Sequence, residues 1–73
     1  MVLTGNQVVD ALIVSAEALR QQTCNAAGAS QATQNAAYVT YYKSVISAKL
    51  AASPALDVGA EISALQDQLN VSV

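Results

Sequence analysis

Two helix-breaking residues, Gly28 and Pro54, divide this 73-residue sequence into three segments, and each repeats apolar residues at helical spacing. Glycine accepts the left-handed backbone found at helix ends, and proline cannot continue a helix. Because the first connection is short, the first two helices should be antiparallel neighbours. The sequence therefore predicts an all-α, three-helix arrangement, a long antiparallel helical hairpin plus a shorter third helix. The predicted helices cover about residues 5–27, 31–52 and 54–69 of one small domain, residues 1–73.

The first helix has capping signals at its start. Thr4 and Gln7 have the spacing of a capping box, and Leu3 and Val8 have that of a hydrophobic staple. The helix is therefore predicted to begin near Gly5. The residues predicted to face the core are Val8, Val9, Leu12, Ile13, Ala16, Leu19 and, as weaker members, Thr23 and Ala26. The residues predicted to face solvent are Asp10, Glu17 and Gln21.

The second helix, which Ser30 is predicted to cap, carries two apolar stripes. The first consists of Tyr38, Tyr41, Tyr42, Val45, Ala48 and Ala52, and the second of Val39, Ile46 and Leu50. Together they cover more than half of the helix circumference, which indicates burial on two sides. One side can pack on the first helix, and the other on the third helix or on another chain. Lys49 lies within the apolar sector, so its ammonium group is expected to extend along its stem to solvent.

The third helix has two candidate starting points. Ser53 can cap it with Pro54 in the first position, and Asp57 is the later alternative. Its apolar residues form a narrow seam like that of a coiled coil, and Gly59 costs it about 1 kcal/mol relative to alanine. The seam residues are Val58, Ile62, Leu65 and Leu69. The helix is therefore expected to depend on the surface against which it docks.

The chain has few ways to stabilise a small fold. Cys24 is its one cysteine and histidine is absent, so neither an internal disulfide nor a structural zinc site is expected. A core of this size rarely supplies more than about 3–5 kcal/mol. Only 11% of the residues are charged, against about 25–35% on a typical designed surface. This composition favours a subunit packed among other proteins, and an ordinary soluble domain rich in alanine and glutamine is the alternative.

Composition also bears on the partners and on the location of the chain. Three cations against five anions make nucleic acid an unexpected partner, because phosphate contacts supply most of such affinity. The longest strongly apolar run spans residues 11–14, far short of the ~20 residues that cross a membrane. A basic region typical of a signal peptide is missing at the start. We expect a cytoplasmic or virion-associated protein that is not secreted by a signal peptide.

Three sets of residues could carry chemistry, and each has a structural interpretation that we favour. Cys24 lacks a histidine to activate it, so it is interpreted as a small buried side chain. The tyrosines at 38, 41 and 42 could stack on bases, but such platforms usually accompany a basic groove. They are interpreted as core or interface residues. The carboxylate pairs Asp57–Glu61 and Asp10–Glu17 are interpreted as solvated faces. We expect no enzyme, no cofactor, no metal and no small-molecule substrate.

Two short stretches resemble a known family. "NQVVDA" at 6–11 and "QNA" at 34–36 are similar to segments of the small subunits, rich in Ala, Gln and Asn, that build bacterial R-bodies. The resemblance covers nine residues, and the glycine-rich middle and longer amide-rich helix of that family are missing here. What the resemblance implies is a compositional logic, in which a short, uncharged helical subunit packs against many copies.

These observations predict a non-enzymatic structural protein that packs into a larger homo- or hetero-oligomeric particle. A protein that decorates or cements a phage capsid is one example, and a filament subunit is another. The alternative is a small regulatory module that binds one protein partner, such as an adaptor, immunity or inhibitor protein. The predicted protein interface consists of Val39, Tyr42, Ile46, Leu50, Val71 and Val73.

Overall fold

The structure is a computed structural model that describes residues 3–52 and 56–72. It contains three helices, which are α1 (Gln7–Asn25), α2 (Gln31–Ala52) and α3 (Gly59–Ser72), and no strand within the described residues. The predicted all-α, three-helix arrangement is confirmed. The second helix has the predicted bounds, whereas α1 is two residues shorter at each end, and α3 begins and ends later than predicted.

The start of α1 is built differently from the predicted capping box. Asn6 is the cap, and its Oδ1 accepts hydrogen bonds from the amides of Val8 and Val9 at 3.0 and 3.1 Å. Thr4 instead donates its amide and its hydroxyl to Oδ1 of Asp10, at 2.7 and 2.8 Å. The amide of Gly5, which has a φ of 89°, donates to Oδ2 of Asp10 at 3.0 Å. The carboxylate therefore ties the entering chain to the helix, and the predicted role of Thr4 is wrong.

The connection from α1 to α2 and the connection from α2 to α3 end in different caps. Gly28 has a φ of 78°, the left-handed conformation expected at the end of α1. Ser30 caps α2 as predicted, since its Oγ accepts a hydrogen bond from the Thr33 amide at 3.1 Å. At the start of α3, the Asp57 carboxylate accepts from the Gly59 amide at 2.8 Å. The helix therefore begins at Gly59, later than the predicted residue 54, and the proposed cap Ser53–Pro54 lies outside the described residues.

The second helix is the centre of the fold. It packs against both α1 and α3, whereas α1 and α3 have no Cα atoms within 8 Å of each other in the described part of the chain. The radius of gyration is 12.6 Å, against about 11 Å for a compact domain of this length. Each outer helix therefore has one neighbour, and the packing stays open between them.

The core is correspondingly small. Among the described apolar side chains, Val9, Ile13 and Val45 are buried, with Tyr41 and Leu56 packed against them. Much of the predicted core face of α1 is wrong, because Val8, Leu12 and Leu19 are 70%, 52% and 64% exposed. The physical reason is that a helix with one neighbour buries only a narrow stripe. Leu3 is exposed too, so the predicted staple with Val8 does not form.

We expect Ile13→Ala to lower the free energy of unfolding by about 2–5 kcal/mol, because it removes one of the few buried aliphatic groups and leaves a cavity. The matched control is Val14→Ala, which changes the adjacent and 48% exposed residue. It should change the free energy by no more than about 0.5 kcal/mol. Urea denaturation followed by circular dichroism at one protein concentration measures both. Equal losses for the two variants would contradict the assignment of the core.

We expect the stability of the fold to fall in acid partly through Asp10. The hydrogen bonds from Thr4 and Gly5 hold the pKa of this carboxyl below its ordinary value of 3.8, the Thr4 amide being the largest cause. A lowered pKa means that the stabilisation is complete above that ordinary value and is lost as pH falls below it. Asp10→Asn should therefore lower the melting temperature at pH 7 and have a much smaller effect at pH 2. Thr4→Val, which removes one of the three bonds, should cost less at pH 7.

Candidate functional site

An open groove of about 390 Å³ lies between α1 and α3, above the middle of α2. We call it the tyrosine groove. Its floor consists of Tyr38, Tyr41, Tyr42 and Val45, and its walls consist of Glu17, Arg20, Ala60, Glu61 and Ala64. The groove exists because the two outer helices both lean on α2 without meeting. The small alanine side chains of α3 keep it wide.

The three tyrosine rings contact one another. Tyr38 and Tyr42 are stacked with ring centres 6.3 Å apart, and Tyr41 meets Tyr42 edge-on at 5.3 Å. All three are half-buried, and burial raises the pKa of the Tyr41 hydroxyl. This placement agrees with the interpretation of the tyrosines as core or interface residues. A stacking platform for bases would need a basic groove, and the cations here are already paired.

Arg20 connects α1 to the tyrosines. Its guanidinium lies 4.8 Å from the centre of the Tyr38 ring and donates a hydrogen bond to the Tyr38 hydroxyl at 3.0 Å. It also forms an ion pair with Glu17, which Gln21 supports at 3.1 Å. The hydrogen bond from Arg20 lowers the pKa of Glu17, and the same contact raises the pKa of Arg20. The structure leaves Glu17 half-buried. Its predicted position on a solvated face is therefore wrong.

Lys49 connects α2 to the start of α3. Its side chain is buried, and its ammonium group donates to the Glu61 carboxylate at 2.6 Å and to the Asp57 carbonyl at 3.3 Å. The expectation that the ammonium group extends to solvent is wrong, because Glu61 of α3 and the Asp57 carbonyl just before α3 accept its hydrogen bonds. Further along, the buried Asn35 accepts hydrogen bonds from Gln31 and Gln68, both at 2.9 Å. The sequence did not predict the contact of Lys49 with Glu61 or that of Asn35 with Gln68. The sequence of one helix does not show which residues of another helix will pack against it.

The titratable groups that could carry chemistry have structural partners. Asp57 caps α3, and Glu61 pairs with Lys49, so each of these two carboxylates has its own structural contact. Cys24 is half-buried where α1 meets α2, with its sulfur 4.0 Å from the Gln34 carbonyl oxygen. In the part of the chain that the structure describes, no group of three His, Cys, Asp or Glu side chains could hold a metal ion.

The predicted interface residues occupy different environments. Val39, Tyr42 and Ile46 are half-buried, and Tyr42 belongs to the tyrosine groove. Leu50 is 52% exposed. Val71 lies in α3, and Val73 lies outside the described residues. Among the predicted interface residues whose side chains the structure describes, Leu50 is therefore the one that is more than half exposed.

Leu50 is one of three exposed large aliphatic residues in the described parts of α2 and α3, of which the sequence predicted only Leu50 at an interface. On α3, Ile62 and Leu69 are 41% and 42% exposed and lie two turns apart on one face. Ile62 is two residues, or about 200° around the helix, from Ala60 and Ala64, which line the tyrosine groove. It therefore faces away from that groove. We call Leu50, Ile62 and Leu69 the α2–α3 patch.

A second apolar surface lies on the hairpin of α1 and α2. An open groove of about 350 Å³ runs between these helices, and small side chains form most of it. Its lining consists of Ala16, Leu19, Arg20, Thr23, Ala36, Ala37, Thr40, Tyr41 and Ser44. The exposed Val8, Leu12 and Leu19 follow this side of α1 at spacings of four and seven. That spacing is visible in the sequence and predicts a core face, but the open packing leaves these residues exposed.

Comparison of the chain with known protein families, with curated proteins and with solved structures finds no match. None of the described helices is both long enough and apolar enough to cross a membrane. The functional conclusion therefore depends on the surfaces and contacts of this chain alone.

We expect Lys49→Met to lower the free energy of unfolding by about 1–3 kcal/mol, below the cost of breaking a fully buried pair because Glu61 keeps some access to water. The change retains the apolar stem but leaves the Glu61 carboxylate without its ion pair. Lys43→Met is the matched control at an exposed position of α2, and it should change stability by no more than about 0.5 kcal/mol. Urea denaturation compares the two. If they behave alike, the Lys49 contacts do not hold α3 in place.

Proposed function

We propose that this chain is a non-enzymatic assembly protein that packs into a larger homo- or hetero-oligomeric particle. The observation that supports the proposal is the imbalance between exposed and buried aliphatic side chains. Among the described residues, the large apolar side chains left exposed are Leu3, Val8, Leu12, Val14, Leu19, Leu50, Ile62 and Leu69. Against these eight, three aliphatic side chains are buried, namely Val9, Ile13 and Val45.

The free energy gained by burying these side chains shows why the imbalance matters. Burying a leucine or valine side chain completely is worth about 1.5–3 kcal/mol. Covering the exposed halves of these side chains on a partner could therefore contribute several kcal/mol. That gain is comparable to the roughly 5–15 kcal/mol that hold an ordinary domain together. A chain with this surface gains as much from packing against a partner as from its own core.

The two apolar surfaces point in different directions, which suits a particle better than a single pair. Leu50 of the α2–α3 patch and the small residues of the hairpin groove lie roughly a quarter turn apart around α2. A subunit with two separate contact surfaces can extend an assembly beyond a dimer. Capsid decoration, capsid cement and filament formation are the roles that we propose for such a small, weakly charged subunit.

The alternative function is a regulatory module that binds one protein partner. The tyrosine groove favours it, because an open groove between two helices can accept a partner helix and tyrosine is enriched in interfaces. This alternative predicts a monomer or a dimer that binds its partner one to one. The absence of catalysis is part of both proposals, and it is supported by the structural partners found for Glu17, Asp57 and Glu61.

We expect light scattering on the purified chain to show a mass above the 7.5 kDa of one chain, rising with concentration. Ile62→Asp should lower that mass, because it places a charge in the α2–α3 patch. Ser63→Asp is the matched control, since it adds the same charge to the adjacent, exposed residue of α3. Circular dichroism should show similar helix content for both. A wild-type chain that stays monomeric at millimolar concentration would overturn the homo-oligomeric form of the assembly proposal.

A further inference from the structure

The hairpin face carries a ridge of large side chains along α1. Val8, Leu12, Ser15 and Leu19 are all exposed and follow spacings of four, three and four. This is the spacing with which one helix presents a continuous edge to another. Leu19 also lines the hairpin groove, which places the ridge at the edge of that groove. The ridge residues are not part of the core cluster around Val9 and Ile13, so the core forms without them.

A strip of small side chains lies beside the ridge, along α2. The strip consists of Ala36, Thr40, Ser44, Ser47 and Ala51. All five residues are exposed, and they follow one another at intervals of four, four, three and four positions. Ala36, Thr40 and Ser44 line the same groove as Leu19. Small side chains let a second helix approach closely. The hydroxyl groups of the strip can donate to carbonyls of their own helix, so covering them is not costly.

The ridge and the strip complement each other in register as well as in size. Within the chain, Arg20 contacts Tyr38, and Cys24 contacts Gln34, so facing residues of the antiparallel helices have numbers that add to about 58. A two-fold axis parallel to the helices would place α1 of one copy over α2 of the other at the same levels. Leu19 would then meet Thr40 of the second copy, and Leu12 would meet Ser47.

We propose that a second copy of this chain covers the hairpin face, with the ridge of each copy packed in the strip of the other to form a two-fold symmetric four-helix bundle. This inference deepens the proposed assembly function and rests on it. The first partner of each subunit is then another copy of the same chain. The inference also assigns the hairpin face, rather than the α2–α3 patch, to that contact.

The size of the face fits a dimer. Helices of 19 and 22 residues are about 28 and 33 Å long, and two side by side are about 20 Å wide. The face therefore offers roughly 600 Å² per copy, or about 1,200 Å² in total. That is the lower limit for stable interfaces, which bury about 1,200–2,000 Å². The dimer should accordingly dissociate on dilution.

The charge distribution also fits a second copy. None of the ridge and strip residues is charged, so the contact buries no unpaired charge. Arg20 lines the groove but is already paired with Glu17. The net charge of −2 on each copy is carried outside the contact and opposes association only weakly at physiological ionic strength.

Cysteine cross-linking tests the register directly. In a Cys24→Ser background, one full-length chain carries Leu19→Cys and another carries Thr40→Cys. After mixing and mild oxidation, the two-fold arrangement predicts a disulfide-linked dimer of the two different chains. Each variant alone should cross-link weakly, because equivalent residues lie diagonally across the bundle. Strong cross-linking of Leu19→Cys with itself would mean that ridge meets ridge, and it would overturn the proposed arrangement.

Charge substitutions separate this inference from the proposed function. Leu19→Asp should raise the dissociation constant of the dimer at least about tenfold in sedimentation measurements, since each dimer would bury two new charges. Val14→Asp is the matched control on α1, at a 48% exposed position away from the ridge. If Leu19→Asp leaves the dimer intact while Ile62→Asp lowers the assembled mass, the hairpin inference is wrong and assembly stands. If the wild-type chain never associates, the hairpin inference and the homo-oligomeric form of the assembly proposal are both wrong.

Discussion

The structure depends on the fact that α2 is the shared neighbour of α1 and α3, which have no Cα atoms within 8 Å of each other in the described part of the chain. A three-helix bundle that closes around a common axis buries a face of every helix. Here each outer helix buries only the stripe that meets α2. This open packing explains the small core of Val9, Ile13 and Val45, the tyrosine groove between the outer helices, and the leucines left on the surface.

Polar contacts contribute where the core is thin. Arg20 ties α1 to Tyr38, Lys49 ties α2 to the start of α3, and Asn35 meets Gln68 farther along α3. Such contacts are directional, so they select one arrangement of the helices more than they add stability. Among the described residues, no buried side-chain nitrogen or oxygen lacks a hydrogen bond. The few polar groups taken from water are therefore satisfied.

The same openness connects the fold with the proposed role. Aliphatic side chains that a closed bundle would bury are available here to other chains, on the hairpin face and on the α2–α3 patch. In the proposed dimer, the hairpin face contacts the second copy, and the α2–α3 patch stays available for further contacts. A stable particle would then complete the burial that a single chain begins. Monomeric soluble proteins rarely leave large apolar patches uncovered.

The sequence by itself determined the three helices, the hairpin and the Ser30 cap, because these depend on residues close together in the chain. It did not determine which apolar residues are buried. Leu12 and Ile13 are adjacent and equally suited to a core, and the position of one neighbouring helix buries Ile13 and exposes Leu12. Likewise, only α3 brings Glu61 to Lys49. Tertiary structure decided these outcomes because burial is a property of what lies opposite a side chain, not of the side chain itself.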